Sequence, residues 1–317
     1  MAKLEDLEYT SPIQAELDKK SKQRAIKESL TGYAIISPWL IGFLALVIGP
    51  IIASFYLSFT NYNLLSSPTW IGIDNYVSVL TNDGRFRQAL TVTFIFVFVS
   101  TPLKLIFALF LAMLFNTGRK GTSLFTTVYY IPSIIGGSVA IAVVWRILFG
   151  RNGAVNEFVQ ALGFSGTNWI GNPDTALSIL ILLVVWQFGS PMIIFLAGLR
   201  QIPQELYEAA SVDGASQITK FMKITIPLLT PVIFFNLVMQ TIGGFMTFTQ
   251  AYLVTGGGPM DSTLFYALYL YEVAFEYLRM GYASAMAWIL LFVVAIITLL
   301  LFLTSKFWVY YESEGGR

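Results

Sequence analysis

Residues Glu208–Pro227 read EAASVDGASQITKFMKITIP and form a polar, helix-forming island between two long apolar runs. Pro203 suits the first turn of a helix, where its missing N–H costs nothing, and Glu205 and Glu208 favour that helix's positive end. Ala209, Ala210 and Val212 continue with small or apolar side chains. Gly214, after Asp213, is a good left-handed helix stop, and Ser216 is a good cap for a second helix carrying Ile218, Phe221 and Met222. The pattern predicts helix, sharp turn, helix, lying outside lipid. The plain alternative is an ordinary cytoplasmic loop with two surface helices.

The runs on either side of this island set the class. The 317 residues are 56% hydrophobic and 12% charged, with mean hydropathy +0.69, more apolar than a soluble domain needs. Several runs exceed the roughly 20 apolar residues that cross a bilayer as a helix. An all-α polytopic membrane protein follows, with six spans at about 33–59, 89–115, 124–149, 174–199, 228–254 and 281–310. Residues 1–32 read as a cytoplasmic tail, helical from about Ile13 to Ser29, 200–227 as a cytoplasmic loop and 311–317 as a second tail. A kink is expected near Pro50, and Pro132, Gly136 and Gly137 interrupt the third span. Thr60–Gln88 is too polar for lipid, NEFVQALG in the next outer loop suggests a short interfacial helix, and Asn116–Ser123 reads as a turn.

Charge supplies the orientation. With both termini inside, and with Arg146 and Lys306 counted with the segments that adjoin their span ends, thirteen of the nineteen Lys and Arg lie on inner segments and five on outer ones, leaving Lys104 deep inside a span. The positive-inside rule therefore places Glu208–Pro227 in the cytoplasm. Net charge of +1 points to no nucleic-acid partner. The chain has no Cys and no His, which removes the usual parts for thiol, zinc and Ser-His-Asp chemistry. No Asp or Glu lies in the central part of an expected span, where proton or sodium relays sit. Nor is there a GxxxxGK[ST] loop, so any ATP hydrolysis, with its Mg, belongs to a partner.

Two features inside the expected spans are polar. Lys104 carries an insertion cost of about 2.5–3.5 kcal/mol near a bilayer centre. The favoured reading is a stem that snorkels or faces a polar gap, over a pathway residue. On the fifth span, Asn236, Gln240, Gly243, Gly244 and Thr247 recur at helical spacing and make one uncharged stripe flanked by Phe245 and Phe248. Amides and hydroxyls with aromatic faces suit a neutral polyol, although Gly and amides also glue helices together. Outside, Gly256–Pro259 asks for a tight turn, and Tyr266, Tyr269, Tyr271 and Tyr277 read as anchors at headgroup level.

Three of these stretches carry a family resemblance. Glu208-Ala209-Ala210, three residues, Gly214, nine residues, then Ile224, Ile226 and Pro227 resemble the EAA motif of permease subunits in binding-protein-dependent ABC importers. IGIDNYVSVL at 71–80, and GGP followed by LYLYEVAFEY and MGYASAMA, are similar to carbohydrate permeases of the maltose and glycerol-3-phosphate type. The resemblance implies a type I ABC importer permease fold in a prokaryotic cell membrane. It implies a coupling helix at Glu208, Ala209, Ala210, Asp213 and Gly214 that docks on an ATPase subunit. It further implies solute contacts at Leu183, Gln187 and Ser190 before the loop and at Gln240, Gly243, Gly244 and Thr247 after it. Tyr129, Tyr130 and Ser133 stand as secondary candidates. The implied partners are a second, related permease, two ATPase subunits and an extracellular or periplasmic sugar-binding protein. The chain itself needs no cofactor. Its rivals are an ion-coupled sugar carrier acting alone and a non-transporting membrane assembly or sensor protein.

Overall fold

Proline and glycine placement decides where the long helices of this chain break. The computed structural model describes residues 12–116 and 121–310; the tail ends and the Arg119–Lys120 turn lie outside the described residues. The chain divides into two units, one ending at Tyr56 and the other beginning at Leu57.

In the first unit, α1 (Pro12–Phe43) runs through a π turn, Leu44–Ile48, into α2 (Gly49–Ser58), whose last two residues belong to the second unit. The helix expected in the tail thus merges with the first span. Pro50 cannot donate to the carbonyl one turn before it, and the backbone widens ahead of it, with the Gly49 N–H bonding to the Leu44 carbonyl.

The second unit opens with a minimal antiparallel pair, β1 (Thr60–Asn61) and β2 (Thr69–Trp70), with Thr60 opposite Trp70. Then α3 (Asp74–Asn82) buries Asn75, whose amide donates to the carbonyls of Ser58 and Thr60 at 2.9 Å each. The next helix, α4 (Gly84–Phe115), begins before the expected Ala89 because the Asp83 carboxylate accepts the Phe86 N–H at 2.9 Å.

The third span departs from a straight helix. It is split into α5 (Thr122–Ile135) and α6 (Val139–Phe149), followed by the short α7 (Ala154–Ala161), and Val139–Ala161 lies at 94° to Leu124–Ile135. Gly136-Gly137-Ser138 makes the corner. Ser138 caps the new helix, and a Cβ on Gly136 would fall 2.4 Å from the Gln187 side chain.

A milder break, 42°, divides the fourth span into α8 (Pro173–Trp186) and α9 (Gly189–Gln201). Pro191 is the cause: its ring displaces the Gln187 carbonyl that an unbroken helix would place four residues earlier. Ser133 repairs the gap. Its hydroxyl donates to that carbonyl at 3.0 Å and accepts the Ser190 N–H at 3.1 Å.

The polar island supplies α10 (Gln204–Val212) and α11 (Gln217–Lys220), a π turn at Phe221–Thr225, and then α12 (Ile226–Phe245). The carbonyl released by Pro231 is taken by the Thr230 hydroxyl at 2.6 Å. The fifth helix stops at Phe245, short of the expected Val254, and a separate π turn covers Ala251–Thr255. After it come α13 (Tyr266–Tyr271), a π turn at Glu272–Glu276, and α14 (Met280–Ser305), which ends before the expected Tyr310.

Among the described residues, Lys20–Ser58, Gly84–Phe115, Gln217–Phe245 and Met280–Ser305 are four helices long and apolar enough to cross a membrane; counting each bent pair as one span raises this to six. Within the second unit α4 lies at the centre, with Phe96 buried against Phe265 at 4.4 Å in its N-terminal half and Leu105, Ala108 and Leu111 packed with Phe195 and Leu229 in its C-terminal half. In lipid, apolar burial gains little, so close packing and internal hydrogen bonds hold such helices together. By contrast Leu291, Phe292, Ile296, Leu299 and Leu303 of α14 stay exposed, as a lipid-facing surface requires.

The expected tyrosine anchors are corrected in part. Tyr266 is fully buried and Tyr269 nearly so, because the hydroxyls find partners inside: Tyr266 donates to the Met286 carbonyl at 2.7 Å and Tyr269 to Asp83 at 2.8 Å. Tyr277 alone of the four is half exposed.

Candidate functional site

Three regions carry the polar chemistry. The first is the elbow. Helix α10 ends in a complete Schellman motif, with the Ala215 N–H on the Ala210 carbonyl at 2.9 Å and the Gly214 N–H on Ser211 at 3.1 Å. Gly214 supplies the left-handed residue, φ +75°. The Ser216 hydroxyl then accepts the Thr219 N–H and starts α11. Two side-chain links close the angle: Lys220 Nζ donates to the Ser211 hydroxyl at 2.6 Å, and the Tyr207 and Thr225 hydroxyls meet at 2.9 Å. Pro203 stands one residue before the helix, at its cap, and not within the first turn.

Locked in this way, the elbow still presents apolar side chains to solvent. Val212 is 89% exposed and Ile218 76%, values that a monomeric surface turn has no reason to hold in a rigid frame. Glu208, Ala209, Asp213 and Gly214 are exposed and Ala210 partly so. Behind them lies a cavity of about 370 Å³ lined by Glu208, Tyr207 and Lys220 together with Met113 and Asn116 at the end of α4. The five coupling candidates therefore sit on one short, stiff projection.

The second region is a polar cavity of about 190 Å³ within the bundle. Ser100, Thr101 and Lys104 of α4 face Val184 and Gln187 at the α8–α9 break, and Gln240, Gly243 and Gly244 of α12 with Thr247 and Gln250 complete the wall. The helix breaks explain how these residues meet. Gln187 caps the end of α8, and its amide N–H donates to the Gly136 carbonyl at 3.1 Å, which leaves the amide oxygen available. Thr247 lies past the end of α12 and folds back, its hydroxyl on the Gly243 carbonyl at 3.2 Å. A Cβ at Gly243 would meet nothing within 4 Å, whereas one at Gly244 would press on Val97 at 3.0 Å, so Gly243 opens on free space and Gly244 makes the packing contact.

Of the substrate candidates, Gln187, Gln240, Gly243, Gly244 and Thr247 come together around this cavity. Leu183, Ser190 and Asn236 do not line it. Leu183 is fully buried in the core and Val184 takes its place at the wall, because the α8 register turns the earlier residue away. The Ser190 backbone is tied to Ser133 at the break. Asn236 is one turn below Gln240, wholly enclosed, and neither of its amide atoms has a hydrogen-bond partner. Lys104, read from sequence chiefly as a snorkelling stem or a residue facing a polar gap, lines the cavity. Ser100 and Thr101 were missed. In an otherwise apolar run, their signal was that they stand one helical turn before the lysine.

A third polar cluster fastens the segment between α12 and α14 to the start of α4. Arg85 forms a bidentate pair with Asp261, at 2.9 and 3.0 Å, and donates to Glu272 at 3.0 Å and to the Tyr277 hydroxyl at 2.8 Å. Asp261 holds φ +57°, a left-handed conformation that Asp tolerates. Burial holds Glu272 above the usual carboxylate range against the pull of Arg85.

Within the second unit, a stiff exposed elbow and a polar cavity enclosed between helices fit a component of a membrane transport system. Comparison with known proteins makes this specific: residues 75–311 match the model of the binding-protein-dependent transport system inner membrane component family, and the chain belongs to that family. It is 54% identical to the probable ABC transporter permease protein YesP of Bacillus subtilis, over 94% of this chain and 97% of that protein. It is 33% identical to the arabinooligosaccharides transport system permease protein AraP of the same organism, over 84% and 86% of the two chains. Its fold is shared with a bacterial alginate ABC transporter solved in complex with an alginate pentasaccharide-bound periplasmic protein, with a TM-score of 0.78 at 23% identity, covering 89% of this chain and 96% of that one.

Proposed function

We propose that the chain is the membrane-spanning subunit of an ATP-driven importer that carries a saccharide into a prokaryotic cell by alternating access. It crosses the membrane six times with both termini inside, each bent pair serving as one span. A second permease completes the pathway, two ATPase subunits bind ATP and Mg and hydrolyse ATP, and an external binding protein delivers the sugar. The saccharide assignment is supported by relatives whose names specify arabinooligosaccharides, trehalose and maltose, and lactose. Membership in a binding-protein-dependent family speaks against a carrier working alone.

The observation that carries this reading is the elbow, a stiff Schellman-ended helix joined through a short helix and a π turn to α12, whose far end lines the polar cavity. A push at Ile218 has a continuous helical route to Gln240 and Gly243, and Val212 is tied to that route across the turn by the Lys220–Ser211 hydrogen bond. Closure of the ATPase pair then favours one arrangement of the bundle, and the sugar-loaded binding protein favours the same one, through differential affinity for the two states. The test is uptake into proteoliposomes holding the whole importer. Glu208→Lys and Gly214→Val should insert normally yet abolish uptake driven by ATP. Wild-type uptake in both would refute the role of the elbow.

A further inference from the structure

The polar cavity holds one full charge. Of the residues on its wall only Lys104 ionises, and no Asp or Glu is among them. Among the described residues Lys104 has neither an ion-pair nor a hydrogen-bond partner, although its side chain is largely enclosed between helices. A lone ammonium at this depth is costly, and proteins ordinarily neutralise such a group with a carboxylate on a neighbouring helix. Here every neighbour is neutral, so the cavity without solute is electrostatically incomplete. A charge kept in such a place is matched by a charge that arrives with the solute.

We propose, building on the importer reading above, that this cavity receives an acidic saccharide, one whose sugar ring bears a carboxylate that pairs with Lys104. Gln187, Gln240, Gln250 and Thr247 remain for the ring hydroxyls, since amides both donate and accept. The charge count selects among anions. A single ammonium balances a carboxylate, whereas a phosphate monoester brings roughly −1.5 to −2 and would leave excess charge with no second cation on the wall. The size fits one ring: about 190 Å³ corresponds to roughly six waters' share of liquid volume. Neighbouring rings of an oligosaccharide must then lie against the second permease.

The test uses the complete importer in proteoliposomes with three probes: a tri-uronide, the same trisaccharide with its carboxyls reduced to alcohols, and a sugar phosphate. Wild type should take up the uronide at least tenfold faster than either other probe. Lys104→Met should cut uronide uptake at least tenfold, and Lys104→Arg, which keeps the charge, should stay within about threefold of wild type. Lys104→Met also removes an insertion penalty, so a monodisperse gel-filtration peak and normal assembly with the ATPase subunits are expected of it. Uronide uptake unchanged in Lys104→Met overturns the inference, as does wild-type preference for the reduced trisaccharide or the sugar phosphate, and in these cases the importer reading stands. ATP-dependent uptake of no saccharide at all would remove the importer reading and the inference with it.

Discussion

Gly243→Leu is the perturbation whose outcome the structure specifies most fully. The position faces the polar cavity, and a Cβ there meets no atom within 4 Å, so a larger side chain grows into open space without displacing a neighbour. Leucine adds four carbons. At roughly 30 Å³ each, a water-sized share, they occupy about 120 Å³. Set against a cavity of about 190 Å³, this leaves too little for a sugar ring. The fold should not suffer, because Gly243 lies inside α12, and replacing Gly by Leu in a helix is worth about 0.5–1 kcal/mol in favour of the helix. The expected phenotype is therefore a split one. Thermal melting in detergent is unchanged or raised by a few degrees, the assembly forms, and ATP-driven uptake falls at least tenfold. Gly244→Leu provides the contrast, since Val97 stands 3.0 Å from its Cβ, and it should lower stability as well as uptake. Full uptake by a stable, inserted Gly243→Leu protein would refute the assignment of this cavity to the solute path.

Four further outcomes follow from local geometry. At Gly214, φ +75° with no atom near the Cβ makes the cost purely conformational: Gly214→Asn should be tolerated, Gly214→Ala should cost about 1–2 kcal/mol, and Gly214→Val more, read as growing loss of uptake at constant expression. Asn236 is buried with both amide atoms unpaired, and leaving such a group buried costs about 1–3 kcal/mol, so Asn236→Leu should raise the melting temperature; a fall would show that the amide has a partner in the dominant state. Arg85→Ala should loosen residues 256–263, seen as faster hydrogen exchange there, with a stability loss of about 1–2 kcal/mol given its partial exposure and an effect that shrinks in high salt. Asp261→Asn should cost more than Glu272→Gln, because burial already disfavours the ionised Glu272, and equal losses would contradict that ordering.

Hydropathy revealed the class of this protein because each span is an apolar run with polar ends. The elbow was legible residue by residue, since Gly214 and Ser216 act on their own backbone neighbours and need no distant partner. What the sequence could not display is what depends on a second segment. Pro132, Gly136 and Gly137 announced the break in the third span, but the 94° corner is held by the Gln187 amide on the Gly136 carbonyl, and at the 42° break caused by Pro191 the freed groups are taken by Ser133, each from a different helix. The polar stripe failed at Asn236 for a related reason: it shares a helical face with Gln240, but the cavity closes one turn above it. Lys104 gained its place only when α4 was set beside α8 and α12. The outer tyrosines show the same limit, because Asp83, which holds Tyr269 inside, is far from it in sequence.

The account turns on the elbow receiving work from an ATPase, and the absence of cysteine from the chain makes this directly measurable. A single cysteine at Val212, which is 89% exposed, should cross-link to the ATPase subunit in the assembled importer at high yield, and the yield should change when a non-hydrolysable ATP analogue is added. A Val212 cysteine that labels freely with a water-soluble maleimide in the full assembly, and cross-links to no ATPase in any nucleotide state, would contradict the account.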